Sequence, residues 1–250
     1  MDFQAKLLLA AAIVLAAMGV GVVVLHGVRL PVPGYSCSGW SEETLYSGPM
    51  PDSLSLDVDV AYVRVYYSPE VTNAIVLLRY SGDCVHGDAW LEDGELRIEV
   101  RDTCRLHMDS CGEAALTVVL PEPSLDMLSL VLDVGKTELR DIAARIMTVS
   151  TNVGEVIAYN ITIWELLEAS TNVGRVALRG VYMPEDAVAR LNANVGSVEL
   201  HLATPGAWIE NAGGGTGVSV THAACPPARG PHIYASASVG NIEVTCRGRA

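Results

Sequence analysis

Three sets of residues in this chain have types and spacings that could do chemistry. The first is its six cysteines: Cys37, Cys84, Cys104, Cys111, Cys225 and Cys246. No C-x-x-C pair occurs, so a zinc ribbon is poorly supported. An even number of cysteines, all following a long apolar segment, instead predicts three disulfides in an oxidising compartment. Six cysteines allow 15 pairings. Local closure points to Cys104–Cys111, Cys225–Cys246 and Cys37–Cys84, with buried reduced thiols as the alternative.

The second set is histidine. His201 and His222 lie 21 residues apart, close to the repeat length described below. Counted from repeat anchors Val198 and Val218, they are out of phase by one residue, which sends their side chains to opposite faces of a strand. His107-Met108-Asp109 sits between Cys104 and Cys111 and reads as part of a disulfide-clipped loop. The third set is acidic. Asp57 and Asp59 share an outward strand face, and Glu92-Asp93-Gly94-Glu95 resembles a calcium loop. Hard cations need about 6–8 oxygen ligands, so solvated acids and an Asp-Gly hairpin turn are the simpler readings. Polysaccharide cleavage needs clustered carboxylates, and here the acids are scattered. No G-x-S-x-G elbow occurs, and Gly213–Gly217 lacks the Lys of a phosphate loop. No catalytic residue, cofactor or metal ligand is assigned.

The elements that would position these residues follow from a repeat. Asn152-Val153-Gly154, Asn172-Val173-Gly174 and Asn194-Val195-Gly196 recur at near-even spacing. Asp133-Val134-Gly135 and Ser238-Val239-Gly240 hold the same phase, and Asn211-Ala212-Gly213 is read as a blurred copy. The anchors are Thr137, Val156, Val176, Val198, Val218 and Ile242, with steps of 19, 20, 22, 20 and 24 residues. Apolar residues recur two positions later, which is strand periodicity with one buried face. A second strand precedes each corner: 127–132, 146–150, 166–170, 189–193, 208–211 and 233–237. Glycine suits the corner, where positive φ or close backbone approach is needed. Asn152, Asn172 and Asn194 should form a turn-stabilising ladder. Lys136, Glu155 and Arg175 should be outward neighbours of alternating charge. One such rung cannot bury its own face, but stacked rungs can. The fold expected is therefore all-β: a single-stack β-solenoid of about six clear rungs, with a less regular N-terminal β cap and one preceding transmembrane helix.

Composition divides the chain further. Residues 1–6 form a short tail. Residues 7–28 carry no Asp, Glu, Lys or Arg and are long enough to cross a hydrocarbon core of about 30 Å. A cleaved signal peptide has a shorter apolar stretch, so an uncleaved signal-anchor is expected. Residues 29–51 are rich in Pro, Gly and Ser and read as a linker. Residues 52–123 form the N-terminal β region and residues 124–247 the solenoid repeats. The formal charge of −13, with lysine only at Lys6 and Lys136, argues against nucleic acid and against anionic lipid as partners of the outer part. Asn160-Ile161-Thr162 is a sequon, making Asn160 a glycosylation candidate.

The run VDVAYVRVYY, then LRIEV, LTVVLPEPSLDMLSLVLDVGKTEL and the serial S-T-N-V-G-x-V copies resemble the DUF4097 group of adhesin-like β-solenoids. They are also similar to the C-terminal repeats of LiaF-type bacterial membrane-stress proteins. The resemblance covers roughly residues 52–246 and implies an architecture without agreed catalytic residues. Cysteines and scarce lysine depart from the usual pattern. The expected role is a non-catalytic, membrane-anchored exterior module for adhesion or scaffolding. It would be held through residues 7–28 in a single-pass orientation, with the C-terminal domain outside the cytoplasm. Its partner would be a surface glycan or protein. An envelope-stress sensor and a carbohydrate-active β-helix enzyme are the alternatives. The sequence assigns no oligomeric state.

Overall fold

The computed structural model describes residues 39–82, 84–103, 114–214, 219–223 and 230–246, with only the backbone course for 211–214 and 219–223. The apolar span 7–28 lies outside the described residues. Among the described residues, no helix is long and apolar enough to cross a membrane. All regular structure among them is strand, as alternating apolar positions and frequent Val and Thr dictate.

Five long strands carry the repeat: β7 (Ser124–Arg140), β8 (Ala143–Tyr159), β9 (Thr162–Val181), β10 (Val188–Leu202) and β13 (His232–Cys246). Each pairs in parallel with its spatial neighbour, and the corner glycines Gly135, Gly154, Gly174, Gly196 and Gly240 lie in register. The two strands expected in each rung are thus one continuous strand bent at its glycine. We call the segments on either side the leading leg and the trailing leg. Parallel neighbours ordinarily need a crossover of a dozen residues or more. Between β7 and β8 there are only Asp141 and Ile142, so most of the return path is made inside the strands.

The glycine corner explains itself sterically. The five glycines have φ between +145° and +149°. A Cβ on Gly174 would sit 1.7 Å from the carbonyl oxygen of Gly154, and one on Gly196 would sit 1.7 Å from that of Gly174. Each rung's backbone occupies the space where the next rung's side chain would go. A second corner was not foreseen. Asp141 and Asn160 have φ of 55° and 52°, and Gly180 has 68°. These three residue types tolerate the left-handed region best.

The strand β2 (Ser53–Tyr67) is a further rung. It pairs with β7 along its whole length, with Ala61 opposite Gly135. Its other neighbours are β5 (Glu95–Asp102) on the leading leg and β6 (Ala114–Leu120) on the trailing leg. The start of the sheet is finished by antiparallel strands. β4 (Val85–Glu92) pairs with β5, β3 (Ala74–Ser81) with β6, and β1 (Trp40–Gly48) with β3. The segment read as a linker therefore contains β1. The expected Asp-Gly hairpin forms between β4 and β5, with positive φ at both Asp93 and Gly94.

The other end differs from the expected order. β13 lies between β10 and the pair β11 (Trp208–Gly214) and β12 (Ser219–Ala223). β13 is uninterrupted and can pair on both sides. The broken β11–β12 rung is placed where it has only β13 to match. Register also corrects the phase of this copy. Val220, and not Val218, stands opposite Ile242, while Asn211 stands opposite Ala235, ahead of the corner.

The core is a set of columns running through the rungs. On the leading legs these include Leu56, Leu130, Val149, Ala169, Leu191 and Ala235; on the trailing legs, Val63, Val156, Val176, Val198 and Ile242. All are buried. Thr137 takes the anchor place in β7 and is equally buried.

Candidate functional site

The outward faces of the two legs have different chemistry. On the leading legs, Thr148, Glu168, Arg190 and Tyr234 form one column. Val131, Ser150, Ser170, Asn192 and Ser236 form the next. Nearest the corner stand Asn152, Asn172 and Asn194. Hydrogen bonds run along these columns. The Asn172 amide donates to Asn152 at 3.2 Å, and the Asn194 amide donates to Asn172 at 3.0 Å. Ser170 donates to Ser150 at 3.1 Å, and Ser236 donates to Asn192 at 3.1 Å. The charged pair within these columns, Arg190 with Glu168 at 2.7 Å, neutralises itself, and nearer the start of the legs Arg145 likewise binds Asp126 at 3.4 Å and Glu165 at 2.9 Å.

Two shallow grooves run over this face. One of about 350 Å³ is lined by Thr148, Glu168, Ser170, Arg190, Asn192 and Tyr234, among others. The second, about 470 Å³, continues toward the corner past Asp133, Ser150, Asn152, Asn172 and Asn194. Ser170 and Asn192 line both. Beside the asparagines, Val134, Val153, Val173, Val195 and Val239 form an exposed row at the corner.

The trailing legs carry an ion-pair network. Lys136 binds Glu155 at 3.3 Å, Arg175 reaches Glu155 at 3.5 Å, and Arg175 also binds Glu199. Nearer β2, Tyr62 and Arg140 both donate to Glu138, and Arg64 donates to the Tyr62 hydroxyl at 3.1 Å. Glu138 is nearly buried. The Tyr62 hydrogen bond, against the cost of burial and with help from Arg140, holds its carboxyl below the ordinary range. Arg140 also stacks on Tyr159. The alternating charge expected for Lys136, Glu155 and Arg175 is present and extends to Glu199.

The other predicted residues fall as follows. The repeat positions Asn152, Gly154, Val156, Asn172, Gly174, Val176, Asn194, Gly196, Val198, Gly240 and Ile242 are brought together in ladders as expected. Asn160 lies at the second corner, exposed, and its side-chain nitrogen donates to Asp141 at 2.6 Å. Asp57 and Asp59 lie on β2 beside Glu99 of β5, and all three carboxylates converge on Arg101, at 2.6, 3.5 and 3.5 Å. The Arg101 hydrogen bond holds Asp57 below its ordinary value. Asp57, held in its ionised form, is not the proton-holding acid that glycoside cleavage needs. His201 stands opposite Thr245, with Nδ1 2.6 Å from its hydroxyl, whereas the His222 backbone stands opposite Val244. Along the backbone register the two histidines are out of phase by one, although the anchor used to count it was two residues off. Among the described residues, no group of His, Cys, Asp and Glu is placed to hold a metal ion.

Cys84 and Cys246 are each disulfide-bonded. Cys37, Cys104, Cys111 and Cys225 lie outside the described residues, and with them the expected pairings and the His107 loop. Sequence reasoning missed the leading-leg grooves, because outward Ser, Thr and Asn look like ordinary surface. It also missed the second corner, whose only signal is Asp141, Asn160 and Gly180 at near-repeat spacing.

No protein-family description matches the chain, and no curated protein matches it. Solved structures do. One is a proposed cell adhesion protein from Clostridium sporogenes, 14% identical, covering 84% of this chain and 100% of its own, with a TM-score of 0.49. A proposed adhesin from Bacteroides fragilis is 13% identical over 83% of this chain and 97% of its own, with a TM-score of 0.41. A third, a proposed lipid binding protein from Parabacteroides distasonis, is 11% identical over 82% of this chain and 97% of its own, with a TM-score of 0.35.

Proposed function

We propose that this chain is a non-catalytic, adhesin-like β-solenoid, anchored by residues 7–28 and displayed outside the cytoplasm. The observation that carries this reading is the in-register parallel stacking from β2 to β13. It turns a short sequence pattern into long outward ladders, and short returns between strands are what a winding coil requires. A surface of repeated side chains suits attachment to an extended partner better than turnover of a small substrate. The disulfide-bonded Cys84 and Cys246 support an oxidising location. The resemblance to adhesin-like solenoids points the same way.

The test is attachment. Full-length protein in detergent, coupled to beads, is screened against a glycan array and against envelope extracts. Retention on a defined surface polymer is the expected result. Capture of one membrane kinase or channel would transfer the reading to a sensor, and release of cleaved sugar would transfer it to an enzyme. Mass mapping that found all six cysteines reduced in native protein would overturn the exterior placement.

A further inference from the structure

We propose that the leading-leg groove binds a neutral polysaccharide chain laid along the stacking direction. This rests on the attachment reading above and gives it a site and a ligand class.

Three features of the face lead there. The first is periodicity. Neighbouring rungs repeat about every 4.8 Å, so a ligand running along the stack meets similar groups at every step. A repeating site of this kind is best filled by a ligand that repeats. The second is hydrogen-bonding capacity. An Asn amide has two N–H donors and two acceptor lone pairs. Asn172 uses one donor and one acceptor in its ladder. The remaining N–H and lone pair of each such rung match hydroxyls, which both donate and accept. Asn192, which accepts from Ser236, keeps its own amide N–H groups for the groove.

The third feature is charge. Glu168 and Arg190 pair with each other, and the other charged residue lining the grooves is the acid Asp133, so the lining carries no surplus positive charge to attract an anion. The chain around them carries −13. An anionic polymer would be repelled by that field, while a neutral one is not. Tyr234 adds a ring at the far end of the first groove, and an amphipathic ring both covers apolar sugar faces and hydrogen-bonds. The trailing legs lack this combination, because their outward carboxylates and guanidinium groups are engaged with one another.

The experiment uses the full-length protein in detergent and titrates it with cello-, manno- and chito-oligosaccharides of two, four and six units. Polygalacturonate and an uncharged peptide serve as comparison ligands. One neutral series should bind with affinity rising at least about tenfold from two to six units, as added contacts along a repeating site accumulate. Asn192→Ala should weaken the hexamer by about fivefold, as loss of one hydrogen bond does. Ser170→Lys, which fills the junction of the two grooves, should abolish binding, while Thr245→Ala on the trailing leg should leave it unchanged. Circular dichroism of each variant checks that it folds.

Length-independent binding, preference for polygalacturonate or the peptide, or folded groove variants that bind like the parent would each overturn the proposal. The two readings fail separately. Bead attachment that survives Ser170→Lys removes the groove and keeps the adhesive role. Oligosaccharide binding without any bead attachment keeps the groove and removes the adhesive role.

Discussion

The leading and trailing legs of each rung share one backbone plan, one buried column set and one glycine corner, yet they settle their outward faces in opposite ways. Over the groove the leading legs stack neutral Ser, Thr and Asn with spare hydrogen-bonding valences, beside the single Glu168–Arg190 pair. The trailing legs stack Lys136, Glu155, Arg175 and Glu199, whose charges are consumed by their neighbours. The stack itself is therefore indifferent to outward chemistry. What repetition fixes is the corner and the inward column, so one face can be closed by ion pairs while the other stays available.

Breaking the corner should remove the comparison altogether, and this is the largest effect expected. Gly174→Ala places a Cβ 1.7 Å from the Gly154 carbonyl oxygen at a φ of +148°. Neither backbone can move without displacing its own neighbour. A loss of about 3 kcal/mol or more is expected, read as a fall in the urea midpoint. The same change on an outward leg residue, Ser197→Ala, should be nearly silent. A well-folded Gly174→Ala protein would mean that the corner is not sterically locked.

The trailing leg is next. Glu138→Ala removes the acceptor shared by Tyr62 and Arg140 at a nearly buried site. About 2 kcal/mol should be lost, since hydrogen bonds to a charged group are the strong ones. This carboxylate also gives the leg a pH signature. Its folded pKa is lowered, so its stabilisation is complete above the ordinary value of 4.5 and is lost as pH falls through the depressed value. Acid titration of stability should be shallower in Glu138→Gln than in the parent.

How much of this was legible in sequence depends on how local the cause is. The glycine corner, the Asn ladder and the inward Val and Leu columns come from a five-residue pattern repeated at fixed phase, and alternation alone places them. The position of β13 between β10 and β11 was not legible. Every rung offers the same inward face, so sequence order and spatial order are decoupled. The misphased copy near Val218 has a related origin, because a run of glycines offers several equivalent corners. The second corner was hidden by varying residue types: Asp141, Asn160 and Gly180 share only tolerance of positive φ. The candidate groove was hidden because a Ser or Asn reads as solvated surface until register brings four of them into line.

The shared interior gives a smaller, stabilising prediction. The hydroxyls of Thr151 and Thr171 are buried without a hydrogen-bond partner just inside the corner. An unpaired buried hydroxyl carries its desolvation cost. Thr171→Val keeps the shape and removes the polar atom, so a gain of about 1 kcal/mol is expected in the urea midpoint. The equivalent column position holds Leu132 in β7 and Ala193 in β10, which shows that the site accepts apolar side chains. No gain, or a loss, would mean that the threonine hydroxyls are used by something inside the corner.

The smallest effect separates the two faces most cleanly. Asn172→Ala cuts the amide ladder on both sides, removing its bonds to Asn152 and Asn194. These groups are exposed and water replaces the lost partner, so the expected cost is only about 0.5 kcal/mol. Arg175→Met, on the trailing leg, leaves Glu155 and Glu199 without their shared cation. Salt tells the two apart. Raising ionic strength screens half-exposed charges, so the Arg175→Met deficit should shrink between low and 1 M salt. The Asn172→Ala deficit involves no net charge and should stay constant. Equal salt dependence in both variants would mean that the legs are electrostatically coupled through the corner, and that the division into a neutral binding face and a self-paired charged face is wrong.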